Sequence, residues 1–134
     1  MGDLQLSESL EDYLLAIYDL ASGGEHVHSG MVASRVGVST ASVTHAFRAL
    51  RDRRLVEYER YRAVRLTSSG AQVARRVLRR KQILLAFFRD VLGLDRAEAE
   101  QNSHRMEHVI TPNAVERLEH LVATQSDASV LSRG

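Results

Sequence analysis

A mainly α-helical chain carrying one small β-hairpin follows from three features of the sequence. Apolar residues recur at helical spacing through most of its 134 residues. Two β-prone runs, Leu55 to Tyr58 and Val64 to Leu66, flank a polar tip near Arg60 to Ala63. Residues that cap or stop helices punctuate the rest. The expected architecture is an N-terminal winged helix-turn-helix over residues 1–72, with the hairpin as its wing, followed by a helical domain over residues 73–134.

Helices are expected at 8–21, 30–36, 39–53, 68–91, 95–109 and 112–124. The first carries Leu10, Tyr13, Leu14, Ile17 and Tyr18 at amphipathic spacing, with Ser7 as cap and Gly23-Gly24 as stop. A short helix, the turn Gly37-Val38 and Ser39 as the next N-cap then make a helix pair. Met31, Val32, Val36, Val38, Val43, Phe47 and Leu50 supply its packing. In a helix-turn-helix the second helix enters the DNA major groove by its N-terminal end. Ser39, Thr40, Ser42, Thr44 and His45 stand there, short hydroxyls and an imidazole suited to base edges or phosphates. Arg60 and Arg62 at the wing tip are placed for phosphate or minor-groove contact. Such helix pairs also serve purely structural roles; the wing and its arginines turn the reading towards DNA.

Thr67 caps the long helix, whose arginines lead to the apolar stretch Ile83 to Phe88, and Gly93 ends it. Asp95 with Glu98 forms a capping-box-like start for the next helix. Thr111 and Pro112, the chain's one proline, open the last. On that helix Glu119 is expected to be solvated. The apolar second half is expected to build a dimer interface, with intrachain packing as the alternative, and the Ser-rich tail from residue 126 to fray.

Charge is segregated. Between Arg35 and Lys81 stand 13 of the 18 Lys and Arg residues against three acids, Asp52, Glu57 and Glu59. The remainder has 5 basic and 14 acidic residues, so a net charge of +1 conceals a basic middle between acidic ends. Seventeen of the 18 are arginine, the side chain best suited to forked contacts with phosphate and guanine. Any one run reads equally as a solvated face, but a whole basic middle implies a polyanion, here double-stranded DNA. The absence of Cys excludes disulfides and thiolate metal sites. No apolar run approaches a membrane span, and the acidic start MGDLQLSESLEDY lacks the regions of a signal peptide. The expectation is a soluble cytoplasmic protein with no membrane partner.

The stretch His104-Arg105-Met106-Glu107-His108 places two imidazoles and a carboxylate at i, i+3 and i+4, on one helical face. A divalent cation is the usual reason for such convergence. The plain alternative is a surface helix bearing common polar residues. The same spacing occurs in H-x-x-E-H zinc peptidases, but these need a further ligand downstream and a catalytic domain. Too few residues follow His108 for either, and no separate general base is evident.

Taken together, Glu11-Asp12-Tyr13-Leu14 with Ile17-Tyr18, the helix-turn-helix, Leu66-Thr67-x-x-Gly70, Val91-Leu92-Gly93-Leu94 and Glu107-His108 resemble the diphtheria toxin repressor family. Its members are metal-activated regulators of iron or manganese homeostasis. The resemblance extends from about Ser7 to Thr124, and the short length resembles the manganese transport regulator branch.

That resemblance implies a primary metal site on Asp12, His104, Glu107 and His108. Asp12 occupies a position held by Asp in manganese-type members and Met in iron-type members, and His104 stands where Cys or Glu is usual. Two imidazoles and two carboxylates suit Mn2+ or Fe2+ first, with Zn2+ and Co2+ also compatible. The family's second metal position is depleted: one expected ligand falls on Leu15 and another on Lys81. Glu100, Glu8 and Glu11 remain as second-site or supporting carboxylates, and Lys81 is expected to pair with Glu100 in place of a cation. One principal ion per subunit is therefore expected.

The implied mechanism couples metal to DNA. An ion held by both helix 1 and the second domain would fix their orientation in a homodimer. That would set the spacing of two recognition helices on a palindromic operator, repressing metal-uptake genes. Three rivals remain at this level: a metal-independent winged-helix regulator, a metallohydrolase, and a nucleoid-type protein binding DNA without sequence preference.

Overall fold

The computed structural model describes residues 6–24 and 26–133, with side chains as far as residue 125. The acidic start before Leu6 lies outside the described residues. Two compact units divide between Val77 and Leu78, five residues beyond the boundary expected from the sequence.

The first unit contains α1 (Glu8–Ser22), α2 (Ser29–Val36) and α3 (Thr40–Asp52), the strands β1 (Val56–Glu57) and β2 (Arg65–Leu66), and the start of α4 (Ser68–Ala86). Ser7 caps α1 by accepting the Leu10 amide at 3.3 Å, and Gly23 closes it. Between α2 and α3 the chain reverses at Gly37, whose φ of 81° is left-handed. The Gly37 and Val38 amides both return to the Ala33 carbonyl, at 2.8 and 3.1 Å, satisfying the end of α2. Ser39 then caps α3 by accepting the Ser42 amide at 3.2 Å.

These reversals turn one face of each helix inward. Leu14, Ile17, Val27, Val32, Val43, Phe47 and Leu50 are fully buried. Burial of each large aliphatic or aromatic side chain contributes about 1.5–3 kcal/mol. Phe47 meets Tyr58 edge to face, ring centres 5.1 Å apart. Of the residues expected to pack the helix pair, Val38 departs: it sits in the turn and is exposed.

The wing is an antiparallel ladder pairing Val56 with Leu66 and Glu57 with Arg65. Val27, in the loop before α2, adds a bridge to Val64, whose amide donates to the Val27 carbonyl at 2.8 Å. The Leu66-Thr67-x-x-Gly70 motif has a clear structural task. The Thr67 amide donates to the Leu55 carbonyl at 3.1 Å, its hydroxyl donates to the Arg54 carbonyl at 2.8 Å, and its oxygen accepts the Gly70 amide at 3.0 Å. One threonine thus ties the strand after the wing to the segment before it and caps α4.

The second unit contains the end of α4, a π-helical turn (Phe87–Val91), α5 (Arg96–Met106) and α6 (Pro112–Arg133). The expected helix 68–91 is regular only to Ala86. There the ladder widens, and the Leu92 amide reaches the Phe87 carbonyl at 3.1 Å. The wider turn leaves Phe88 buried and edge to face with Phe87. Gly93, at φ 72°, ends it. Asp95 caps α5 through the Glu98 amide at 2.9 Å, and Thr111 caps α6 through the Ala114 amide at 3.2 Å. α6 continues past residue 124 to Arg133, where fraying was expected from 126; Ser126 to Arg133 contain no Gly or Pro to stop a helix. Ile83, Leu84, Phe88 and Ala99 are buried in this unit, whereas Leu92, Val109 and Leu121 are large apolar residues left exposed.

Candidate metal centre and nucleic-acid interface

α5 buries a narrow stripe, Ala99, Ser103 and Glu107, spaced four residues apart on one helical face. Two of those three are small, which lets the helix approach its neighbours closely; the third is a carboxylate with 1% of its side chain exposed. The regular helix ends at Met106, two residues before the expected face is complete. Glu107 nevertheless keeps helical angles, φ −61° and ψ −23°, and its amide still bonds Ser103 at 3.0 Å. The turn that follows brings His108 back, so the two imidazoles stand edge to face with ring centres 5.2 Å apart.

Three nitrogens surround one oxygen. Glu107 Oε1 lies 3.2 Å from His108 Nε2, 3.4 Å from His104 Nδ1 and 2.7 Å from Lys81 Nζ. Ligands about 2.1 Å from a cation are separated by about 3.0–3.4 Å in octahedral or tetrahedral geometry. Each imidazole nitrogen stands at about such a separation from the carboxylate oxygen, and all three are donor types that divalent transition metals accept. The residues fit an ion.

Lys81 departs from its expected partner. Its ammonium donates to Glu107, while Glu100 is exposed and accepts from Arg96 at 2.9 Å, one turn earlier on α5. The reason is helical phase: Glu100 is offset by about 100° from the buried stripe that carries Glu107. Glu119, expected in solvent, receives a two-pronged ion pair from Arg79, with Nε 2.6 Å from Oε2. The Arg79 guanidinium holds the Glu119 carboxyl below its usual range, chiefly by hydrogen bonding, against the cost of desolvation.

In the first unit, Glu8, Glu11 and Asp12 occupy the opening turns of α1 at i, i+3 and i+4, a carboxylate face at the positive end of the helix dipole. Glu8 is exposed; Glu11, Asp12 and the donorless Leu15 are half-buried.

The nucleic-acid candidates fall into two groups. At the start of α3, Ser39, Thr40, Ser42 and His45 are exposed. The Ser39 hydroxyl donates to Ser42 Oγ at 3.0 Å. Thr44 is half-buried, and its hydroxyl donates to the Thr40 carbonyl at 3.0 Å within the same helix. Arg48 was not singled out in the sequence; it is exposed three residues beyond His45, on the same face, and the i+3 spacing was the available signal. Beside α3 runs a cleft of about 580 Å³ lined by Ser7, Ser9, Leu10, Tyr13, Ala41, Ser42, His45 and Ala49.

At the wing, Arg60 and Arg62 are exposed, Arg62 lying 3.4 Å from Glu59. Between them stands Tyr61, also not foreseen, 86% exposed and left-handed at φ 67°, with the Arg60 guanidinium 4.9 Å from its ring centre. A left-handed conformation costs a bulky residue about 1–2 kcal/mol. Arg35 is committed elsewhere, to an ion pair with Asp19.

Comparison with known proteins places the chain in a family. Residues 5–64 match the iron-dependent repressor N-terminal DNA-binding domain, and residues 67–126 its metal-binding and dimerisation domain. The chain is 30% identical to the HTH-type transcriptional regulator MntR of Bacillus subtilis over 114 residues, 85% of this chain and 80% of that protein. It is 28% identical to an uncharacterised HTH-type regulator of Methanocaldococcus jannaschii, covering 84% and 91%. Among solved structures, a manganese-dependent transcriptional repressor in complex with manganese superposes with a TM-score of 0.75 at 28% identity, covering 85% of this chain and 52% of that one. The chain thus spans about half the length of that repressor. None of the described helices is long and apolar enough to cross a membrane. These relatives are regulators rather than enzymes, and the chain belongs to the diphtheria toxin repressor family of metal-dependent transcriptional regulators, in its manganese transport regulator-like branch.

Proposed function

We propose that this chain is a cytoplasmic, homodimeric repressor in which one divalent cation, Mn2+ or Fe2+ by preference and Zn2+ or Co2+ by compatibility, favours binding to a palindromic operator. The observation that carries this reading is the gathering of His104 Nδ1 and His108 Nε2 around the buried Glu107 Oε1 at ligand-like separations. Asp12 is proposed as the further ligand, on the strength of the family resemblance. An ion shared by Asp12 and these three residues would restrict the arrangement of the winged helix with respect to the dimerising unit. Metal then shifts the population towards the operator-competent form by its differential affinity.

Within this scheme His45, Ser42 and Thr40 address base edges, and Arg60 and Arg62 address phosphate or the minor groove. The exposed apolar residues Leu92, Val109 and Leu121 suit a subunit interface. One observation favours the rival, a metal-independent regulator: the charge of Glu107 is already met by Lys81. A DNA mobility-shift titration with and without Mn2+, Fe2+ and Zn2+ decides between them. Metal should strengthen operator binding, and His108→Ala or Glu107→Gln should remove that stimulation while leaving a folded dimer. Equal binding with and without metal would establish the rival.

A further inference from the structure

We propose that Lys81 is a built-in competitor for the metal, an affinity-setting residue whose ammonium holds the Glu107 oxygen a cation needs. The inference rests on the metal-activated reading above, and concerns how strongly this chain binds its ion.

Glu107 is the most deeply buried of the three donors in the second unit, with 1% of its side chain exposed against 17% for His108 and 56% for His104. A carboxylate taken that far from water is stable only beside a positive charge. Lys81 supplies it at 2.7 Å, from a side chain itself only 29% exposed. The ammonium bonds Oε1, the same oxygen that lies 3.2 Å from His108 Nε2 and 3.4 Å from His104 Nδ1.

An incoming cation bound through Oε1 therefore meets a fixed positive charge at hydrogen-bond distance from its own ligand. Either the ammonium swings away, surrendering a partly buried ion pair, or it stays and repels the ion. Both routes weaken binding relative to a chain with an uncharged residue at position 81. The same contact stabilises the protein before metal arrives, because Glu107 is never left as an uncompensated buried charge. Lys81 raises the concentration at which metal is retained and supports the fold of the empty protein.

Calorimetric titration of the full chain with Mn2+ alone and Co2+ alone tests this, comparing wild type with Lys81→Met, Lys81→Gln and Lys81→Arg. The two uncharged variants should bind on the order of tenfold or more tightly, melt at a lower temperature without metal, and gain more from its addition. Lys81→Arg should stay near wild type. Arg79→Met, which removes a neighbouring charge engaged with Glu119, should leave metal affinity unchanged. If Lys81→Met fails to fold without metal, Lys81→Gln carries the comparison. Unchanged or weaker metal binding in the uncharged variants overturns the proposal. Binding that persists undiminished in His108→Ala overturns the location of the metal site instead. Metal binding seen only in the uncharged variants supports the competition while refuting metal activation of the natural chain. No binding in any of them refutes both.

Discussion

A methyl group on Gly70 would lie 1.9 Å from the carbonyl oxygen of Leu55. The first turn of α4 is thus pressed against the backbone at the end of the helix-turn-helix, close enough for the Thr67 amide to bond the same Leu55 carbonyl. Neither partner in that approach is a side chain that can rotate aside.

Gly70→Ala should therefore be among the most damaging single-methyl changes in the chain. Relief requires moving α4 or the segment before β1, at about 3 kcal/mol or more. Chemical denaturation of the variant checks this; stability within experimental error of wild type would mean the close approach is absent in solution. Thr67→Val should be damaging for a separate reason, since it removes both the cap and the bond to Arg54.

At the wing, stability and binding should move in opposite directions. Tyr61→Gly relieves a left-handed backbone and should stabilise the protein by about 1 kcal/mol, yet weaken DNA binding if the exposed ring meets the duplex. Replacing Arg60 and Arg62 together by Ala should weaken binding to all sequences. It should also lower the slope of log affinity against log salt by about 2 per subunit. Binding isotherms at several salt concentrations measure both; an unaltered slope would remove the wing from the interface. Ser42→Ala and His45→Ala should instead change preference among operators.

The Arg79–Glu119 pair predicts a pH dependence with a definite sign. Glu119 titrates below its usual range in the folded chain, through its hydrogen bonds from Arg79 and attraction to it, with His120 adding a smaller attraction. A depressed carboxyl contributes stability above its unfolded value, about 4.3, and loses it as pH falls through the folded value. The stability advantage of wild type over Glu119→Gln should be modest at neutral pH, because the pair is solvent-screened, and should vanish in acid. An advantage that grows as pH falls would contradict the assignment.

Metal stoichiometry should be one tightly held ion per subunit. Leu15 offers no donor atom, and Lys81 presents a cation where a second ion would need a ligand. Leu15→Glu combined with Lys81→His should raise the count to two, measured by elemental analysis after dialysis. Two ions in the unmodified chain would show that Glu8, Glu11 or Glu100 builds a substitute site.

Much of this protein was legible in one dimension because the signals are local. The caps Ser7, Ser39, Thr67, Asp95 and Thr111 act on amides within three residues of themselves, so each announces its helix without reference to the rest of the chain. The same holds for Gly37 at the turn and for the spacing that brings His104, Glu107 and His108 together. What only the tertiary structure decided involves partners distant in sequence or small shifts of helical phase. Lys81 finds Glu107 rather than Glu100 because α5 buries the face of Ala99 and Ser103. Glu119 is ion-paired because Arg79, forty residues earlier, is brought beside it. Gly70 is required because Leu55 is folded onto it, and Val27 joins the wing because Val64 is carried to it. Local hydrogen bonds are written in neighbouring residues; the pairing of buried charges and the clearance between backbones exist only once the chain has closed on itself.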